Sequence, residues 1–133
     1  MYCGMKTGRS DIVGDGDPCD ICVLTEKDLT HGDLLVCAIP IGGFRMIDGN
    51  QADDKIIATL CNDTLYSHFR DISEVPPIVI QRLEHYFLTY KDMPGQERNT
   101  EITHIYGKEE ALEVIRCSMI DYQTRFENLG KLL

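Results

Sequence analysis

The stretch Phe44-Arg45-Met46-Ile47-Asp48-Gly49-Asn50-Gln51-Ala52-Asp53-Asp54-Lys55-Ile56-Ile57-Ala58-Thr59-Leu60 holds two strands and the turn between them. Phe44 to Ile47 alternates as a half-buried strand does. Asp48-Gly49-Asn50 is turn chemistry, because Gly and Asn accept the left-handed backbone that tight turns demand. Lys55 to Leu60 is apolar and β-branched, the composition of a second strand, and Asn62-Asp63 closes it.

Moving outward, Ile21 to Leu24 is a short apolar run after Pro18 and predicts a strand. Met1 to Gly16 is rich in Gly and polar residues and reads as loop, and Thr30-His31-Gly32-Asp33 as a turn. Leu34 to Ile41 predicts a further strand ending near Pro40, with a bend at Gly42-Gly43. Downstream, Pro76-Pro77 suits a first helical turn, where a missing N–H costs nothing. Val79, Leu83, Tyr86, Phe87 and Tyr90 then recur at spacings of three and four, one face of a helix that Met93-Pro94-Gly95 ends. Glu101 to Tyr106 alternates as a strand. A second helix opens after Gly107, with Glu109, Glu110 and Glu113 near its positive end and Leu112, Ile115, Met119, Tyr122 and Phe126 on its expected buried face. Strands, helix, strand, helix is an α+β order: a small antiparallel sheet or barrel with helices to one side.

The 133 residues suit one domain, spanning 1–133, and can bury an ordinary core. A formal net charge of −9 opposes a nucleic-acid or anionic-membrane binder, which needs a basic footprint. It does not oppose an anionic substrate if metal ions stand between. No apolar run approaches the ~20 residues of a membrane span, and no signal-peptide core reads at the N-terminus. The six cysteines (3, 19, 22, 37, 61, 117) are scattered, so reduced thiols and a cytoplasmic location are the expectation.

Asp15-Gly16-Asp17-Pro18-Cys19-Asp20 packs three carboxylates into six residues, and Gly16 and Pro18 favour a turn that converges them. Their mutual repulsion needs an offsetting charge, and a hard divalent cation with oxygen ligands supplies one. An acidic solvated turn is the plain alternative. An EF-hand fails, because Cys19 and Asp20 stand where that loop needs an oxygen ligand and Gly. Cys19-Asp20-Ile21-Cys22 precedes a strand rather than a helix, and residues three apart on a strand face opposite ways, so these cysteines read as packing residues. The four histidines form no metal-ligand pair, and no phosphate-cradling Gly-rich motif is present. Asp48 to Lys55 is a second acidic loop between strands. Taken alone, Lys55 reads as a surface charge and Tyr90-Lys91 as an aromatic anchor and a cation at a helix C-terminus.

Together these segments resemble the soluble inorganic pyrophosphatases of the magnesium-dependent, single-domain family. Asp15-Gly16-Asp17-Pro18-Cys19-Asp20-Ile21 fits that family's D-x-D-P-x-D motif, with Cys19 where a larger aliphatic is usual. Pro40 to Asp48 with Ala52 to Ala58 forms a second match, and His85-Tyr86-Phe87-Leu88-Thr89-Tyr90-Lys91-Asp92 a third. The resemblance implies an α+β fold, an OB-like antiparallel β-barrel incomplete at the N-terminus with two flanking helices. In the family an N-terminal portion precedes the first motif and supplies barrel strands and phosphate ligands; here 14 residues precede Asp15, so the chain is expected to be the C-terminal part of the domain.

The resemblance also implies roles. Asp15, Asp20 and Asp53 look like ligands of the tightest metal, with Asp20 helping to hold a second. Asp48 and Asp53 look like ligands of the metal arriving with substrate. Asp17 resembles the general base, and Lys55, Tyr90 and Lys91 resemble phosphate-binding residues. Mg2+ is the implied cofactor, pyrophosphate and phosphate the implied ligands, and a homo-oligomer the implied assembly, with no nucleic acid and no membrane. A remnant that binds Mg2+ without efficient turnover is the second expectation. A nucleic-acid-binding OB barrel is a third, opposed by the charge.

Overall fold

Strand β3, Ala38–Asp48, is the hub of a curled six-stranded sheet in the computed structural model, which describes residues 12–97 and 99–126. Around it stand β1 (Val13–Gly14), β2 (Asp20–Leu24), β4 (Gln51–Ala52), β5 (Lys55–Leu60) and β6 (Thr100–Gly107). Helix α1 spans Pro77–Thr89 and α2 spans Lys108–Phe126. Two 3₁₀ turns, Tyr66–His68 and Ile72–Glu74, lie between β5 and α1. The path through the sheet is β1-β4-β3-β5-β2, with β6 on the other side of β3. Pairings to β3 are antiparallel, as expected; β1 with β4 and β2 with β5 run parallel.

Three local expectations need correction. The expected strand over Leu34 to Ile41 begins only at Ala38, and Leu34, Leu35 and Val36 are exposed. The last cross-strand bond is Cys61 N–H to the Cys37 carbonyl at 2.9 Å; beyond it the partner strand turns away and offers no ladder. Gly42-Gly43 is not a bend between two strands, since β3 runs through it with a bulge between Pro40 and Gly42. The glycines serve close approach: a Cβ at Gly42 would lie 2.6 Å from the Tyr106 carbonyl oxygen, and one at Gly43 2.6 Å from the Tyr106 ring. The loop expected over Met1 to Gly16 gives way at Val13–Gly14, which pair with β4; Cys3 and the rest of that segment to residue 11 lie outside the described residues.

Alternation along β5 divides the core. Ile56 packs with Tyr106, Ala111 and Val114 under α2. Ile57 packs with Phe44, Ile41, Leu24, Ile72 and Val75, against Val79, Leu83 and Phe87 of α1. Pro77 opens α1 with no N–H to satisfy, as its sequence predicts. Tyr86 and Tyr90 of the expected face are exposed, however. In α2 the buried residues are Ala111 and Val114, whereas Leu112, Met119 and Tyr122 face out. The small Ala111 lets the helix lie close on the sheet, which turns its buried face from the one the larger residues suggest.

Candidate active site

One end of the sheet gathers the start of β2, the start of β5 and the end of β3, because β2 and β5 run parallel and β3 runs against them. Asp20 and Lys55 are register partners there. Between β1 and β2 the chain turns at Gly16, whose φ of +83° favours glycine, and Asp17 N–H donates to Asp15 Oδ1 at 3.1 Å. The expected turn over the first acidic segment is present. On the far side, β3 joins β4 through Gly49 (φ +57°) and Asn50 (φ +63°), a two-residue loop of the primed type that suits a twisted hairpin. It leaves Asp48 at the rim of the sheet. The Asp53 N–H donates to the Met46 carbonyl at 2.9 Å and fixes the entry to β5.

These elements enclose a cavity of about 330 Å³. Asp15, Asp17, Asp20, Asp48 and Asp53 line it, with Lys55, Tyr90 and Lys91. All eight candidate site residues therefore meet in one place, although they come from four segments up to 76 positions apart. Gln51 also lines the cavity and has no signal in the sequence that marks it.

The lysines organise the carboxylates. Lys55 is buried and its Nζ donates to Asp53 Oδ1 at 2.6 Å and Asp20 Oδ2 at 2.7 Å. Burial alone pulls an ammonium toward the neutral form; the two carboxylates outweigh it and hold Lys55 above its ordinary pKa. Lys91 Nζ donates to Asp48 Oδ2 at 2.5 Å and lies 5.4 Å from the Tyr90 ring centroid. The hydrogen bond from Lys91 lowers the Asp48 pKa, and Thr100 Oγ1 adds a bond at 3.2 Å. Thr100 reaches Asp48 because β6 pairs with β3 at that register, a long-range match the sequence alone does not reveal. Lys91 in turn is held above its usual pKa by Asp48.

Five carboxylates on one small cavity are an oxygen-only donor set, which fits a hard divalent cation rather than a soft one. Among the described residues no three ligating side chains already surround a common point. Asp20 and Asp53 are turned onto the Lys55 ammonium instead. Loading this donor set therefore requires rotation of those side chains about their own bonds, with the strands in place.

Residues 5–123 match the family model for inorganic pyrophosphatase. The chain belongs to the inorganic pyrophosphatase family. It is 49% identical over 130 residues to an inorganic pyrophosphatase of Chlamydia trachomatis, covering 94% of this chain and 62% of that protein. A soluble inorganic pyrophosphatase of Oryza sativa is 38% identical over 105 residues, 79% of this chain and 48% of the relative. The chain thus spans less than two thirds of these relatives. The crystal structure of the Thermus thermophilus inorganic pyrophosphatase superposes with a TM-score of 0.74 at 32% identity, covering 82% of this chain and 63% of that one. The curled sheet and two helices are those of a pyrophosphatase, consistent with the OB-like architecture expected.

Within this member of the inorganic pyrophosphatase family, Asp54 is a feature that sequence reasoning did not assign. It is fully buried on the face opposite Asp53, accepts from Tyr106 Oη at 2.9 Å and stands 3.6 Å from Arg45 Nε. Arg45 Nη2 continues to Glu110 Oε1 at 2.6 Å, and its guanidinium lies 5.2 Å from the Tyr106 ring centroid. Burial pushes the Asp54 carboxyl up against the lowering effect of Tyr106 and Arg45. The signal was available: two adjacent aspartates entering a strand must face opposite sides of the sheet.

Proposed function

We propose that this chain hydrolyses inorganic pyrophosphate to two phosphates. The convergence of Asp15, Asp17, Asp20, Asp48, Asp53, Lys55, Tyr90 and Lys91 on one cavity carries the reading. Asp15, Asp20, Asp48 and Asp53 would hold divalent cations, with Mg2+ as the specific ion. When bound, such ions neutralise the polyanion and lower the pKa of water to within reach of neutral pH. Asp17, exposed at the cavity, takes the proton of the attacking water as its oxygen bonds to one phosphorus and the bridging P–O bond breaks. Lys55, Lys91 and the Tyr90 hydroxyl orient phosphoryl oxygens and stabilise charge on the departing phosphate. Lys55 then has two uses: it holds Asp20 and Asp53 together, and it presents a fixed positive charge to substrate.

The same reading takes the chain as the C-terminal part of one catalytic domain, acting in the cytoplasm as a homo-oligomer. No helix among the described residues is long and apolar enough to cross a membrane. Phosphate release from pyrophosphate, followed with Mg2+ and again with chelator, tests the activity. Mg2+-dependent release supports the proposal. Mg2+ binding by calorimetry without release on this 133-residue chain favours the remnant reading instead.

A further inference from the structure

At the other end of the β3–β5 ladder stand two cysteines. Cys37 precedes β3 and Cys61 follows β5, and Ala38 and Leu60 are register partners, so the two cysteines are the next cross-strand pair. The Cys61 N–H bond to the Cys37 carbonyl makes theirs a hydrogen-bonded position. Such pairs hold their Cα atoms about 5.5 Å apart, inside the range disulfides span. The side chains point the same way: the Cys61 thiol donates to Cys37 Sγ across 2.7 Å. Cys37 is exposed and Cys61 half-buried, which opens the pair to a small reagent.

The other described cysteines contrast with this pair. Cys19 packs against the α2 cluster and Cys22 against the α1 cluster, on opposite faces. Burial raises the pKa of both thiols. Cys117, on α2 itself, packs against the same cluster as Cys19 and donates to Glu113 Oε1 at 3.5 Å. Among the described residues only Cys37 and Cys61 bring two sulfurs into contact.

The geometry points to Cys37 and Cys61 as a site of reversible disulfide formation by thiol–disulfide exchange with a small-molecule disulfide. The exposed Cys37 thiolate attacks one sulfur of the reagent, forms a mixed disulfide and releases one thiol. The Cys61 thiolate then attacks Cys37 Sγ and releases the second thiol. Two protein thiols lose two electrons and two protons, and the reagent disulfide is reduced to two thiols. The bridge closes the segment that carries Asp48, Asp53 and Lys55. It lies six residues along the strand from Lys55, roughly 20 Å, and so ties the base of the hairpin away from the cavity.

Trypsin provides the test, since it cuts after Arg45 and Lys55 and places Cys37 and Cys61 on separate peptides with no other cysteine. The full chain is treated with oxidised glutathione, alkylated, denatured and digested without reductant. The expected result is a joined pair of peptides, Asp28–Arg45 with Ile56–Arg70, lighter by two hydrogens and separated again by dithiothreitol. Cys61→Ser should instead retain one glutathione on Cys37. The bridged chain should melt higher by roughly 5 °C or more, because the bridge restricts the unfolded chain. Separate peptides, glutathione retained on Cys37 of the unsubstituted chain, or a bridge to Cys3, Cys19, Cys22 or Cys117 would overturn the assignment. A bridged chain that melts no higher would show that the bridge does not fit the native strand pair, and would overturn it too.

Discussion

Asp53 and Asp54 are adjacent in the chain and face opposite sides of the sheet. Asp53 looks into the cavity, where its Oδ1 is held by the Lys55 ammonium. Asp54 looks into the core, where it meets the Tyr106 hydroxyl and the Arg45 guanidinium. The same contrast divides the other aspartates. Asp63 accepts the N–H groups of Glu26, Leu65 and Tyr66, and Asp71 those of Ser73 and Lys108. Those bonds fix turns and a helix start. Asp20, Asp48 and Asp53 instead bond the lysine side chains that line the cavity. At Asp63 and Asp71 a carboxylate tied to backbone serves the fold, whereas one tied to an ammonium can change partner without unfolding anything; Asp15 stands between the two, since it accepts the Asp17 N–H and also lines the cavity. The comparison predicts that substitutions in the two groups separate activity from stability.

The largest expected separation is at Asp17. On the proposed role of Asp17 as general base, Asp17→Asn should lower phosphate release by roughly 10²–10⁴-fold. Asp17 is exposed, so its thermal stability should stay within about 0.5 kcal/mol of the unsubstituted chain. Assays of phosphate release paired with urea melts measure both. Full turnover in Asp17→Asn would remove Asp17 from the proton-transfer role.

Asp54→Ala should do the reverse. It leaves Arg45 and the Tyr106 hydroxyl in the core without their carboxylate, and costs about 2–4 kcal/mol on the scale of broken buried pairs. The urea midpoint reads this directly. An unchanged midpoint would mean that Asp54 contributes nothing to stability, and the division between the two faces of β5 would fail at its sharpest point.

How much of this was legible in the sequence depends on the range of the contact involved. The turn at Asp15 to Asp20 is local, and Gly16 and Pro18 announce it. Lys55 to Leu60 is apolar enough to be a strand on any reading, whereas β6 forms where expected but a bulge at Thr103 breaks its alternation. Leu34 to Val36 is equally apolar but has no strand to pair with, and composition does not report a missing partner. The larger apolar residues of α2 suggest a face other than the buried one, because Ala111 adds little hydrophobicity while its size sets how close the helix lies. Tyr90 and Lys91 look ordinary by themselves; only the family resemblance linked them to Asp15, and only the fold puts Lys91 on Asp48. Thr100 on Asp48 and Tyr106 on Asp54 depend on the β3–β6 register, which no local pattern encodes.

The smallest expected effect belongs to Asp63 and is visible only in acid. Its pKa is lowered in the fold, chiefly by the N–H bonds from Tyr66 and Glu26, with Thr25 Oγ1 and the Leu65 N–H adding to them. A carboxylate with a depressed folded pKa contributes stability above its unfolded pKa of about 3.9, and loses it as pH falls through the folded value. Asp63→Asn cannot ionise, so it should be less stable than the unsubstituted chain at pH 7, and the two should converge as pH falls through the lowered folded value of Asp63. Asp71, whose pKa is lowered by the Lys108 and Ser73 N–H groups, stays in both chains and should leave each with a residual acid slope. Urea midpoints at neutral and acid pH measure the difference. A gap that persisted unchanged into acid would show that Asp63 acts through its shape and neutral hydrogen bonds. Ionisation would then no longer be what sets the carboxylates of the fold to work, and their contrast with the cavity would rest on donor type alone.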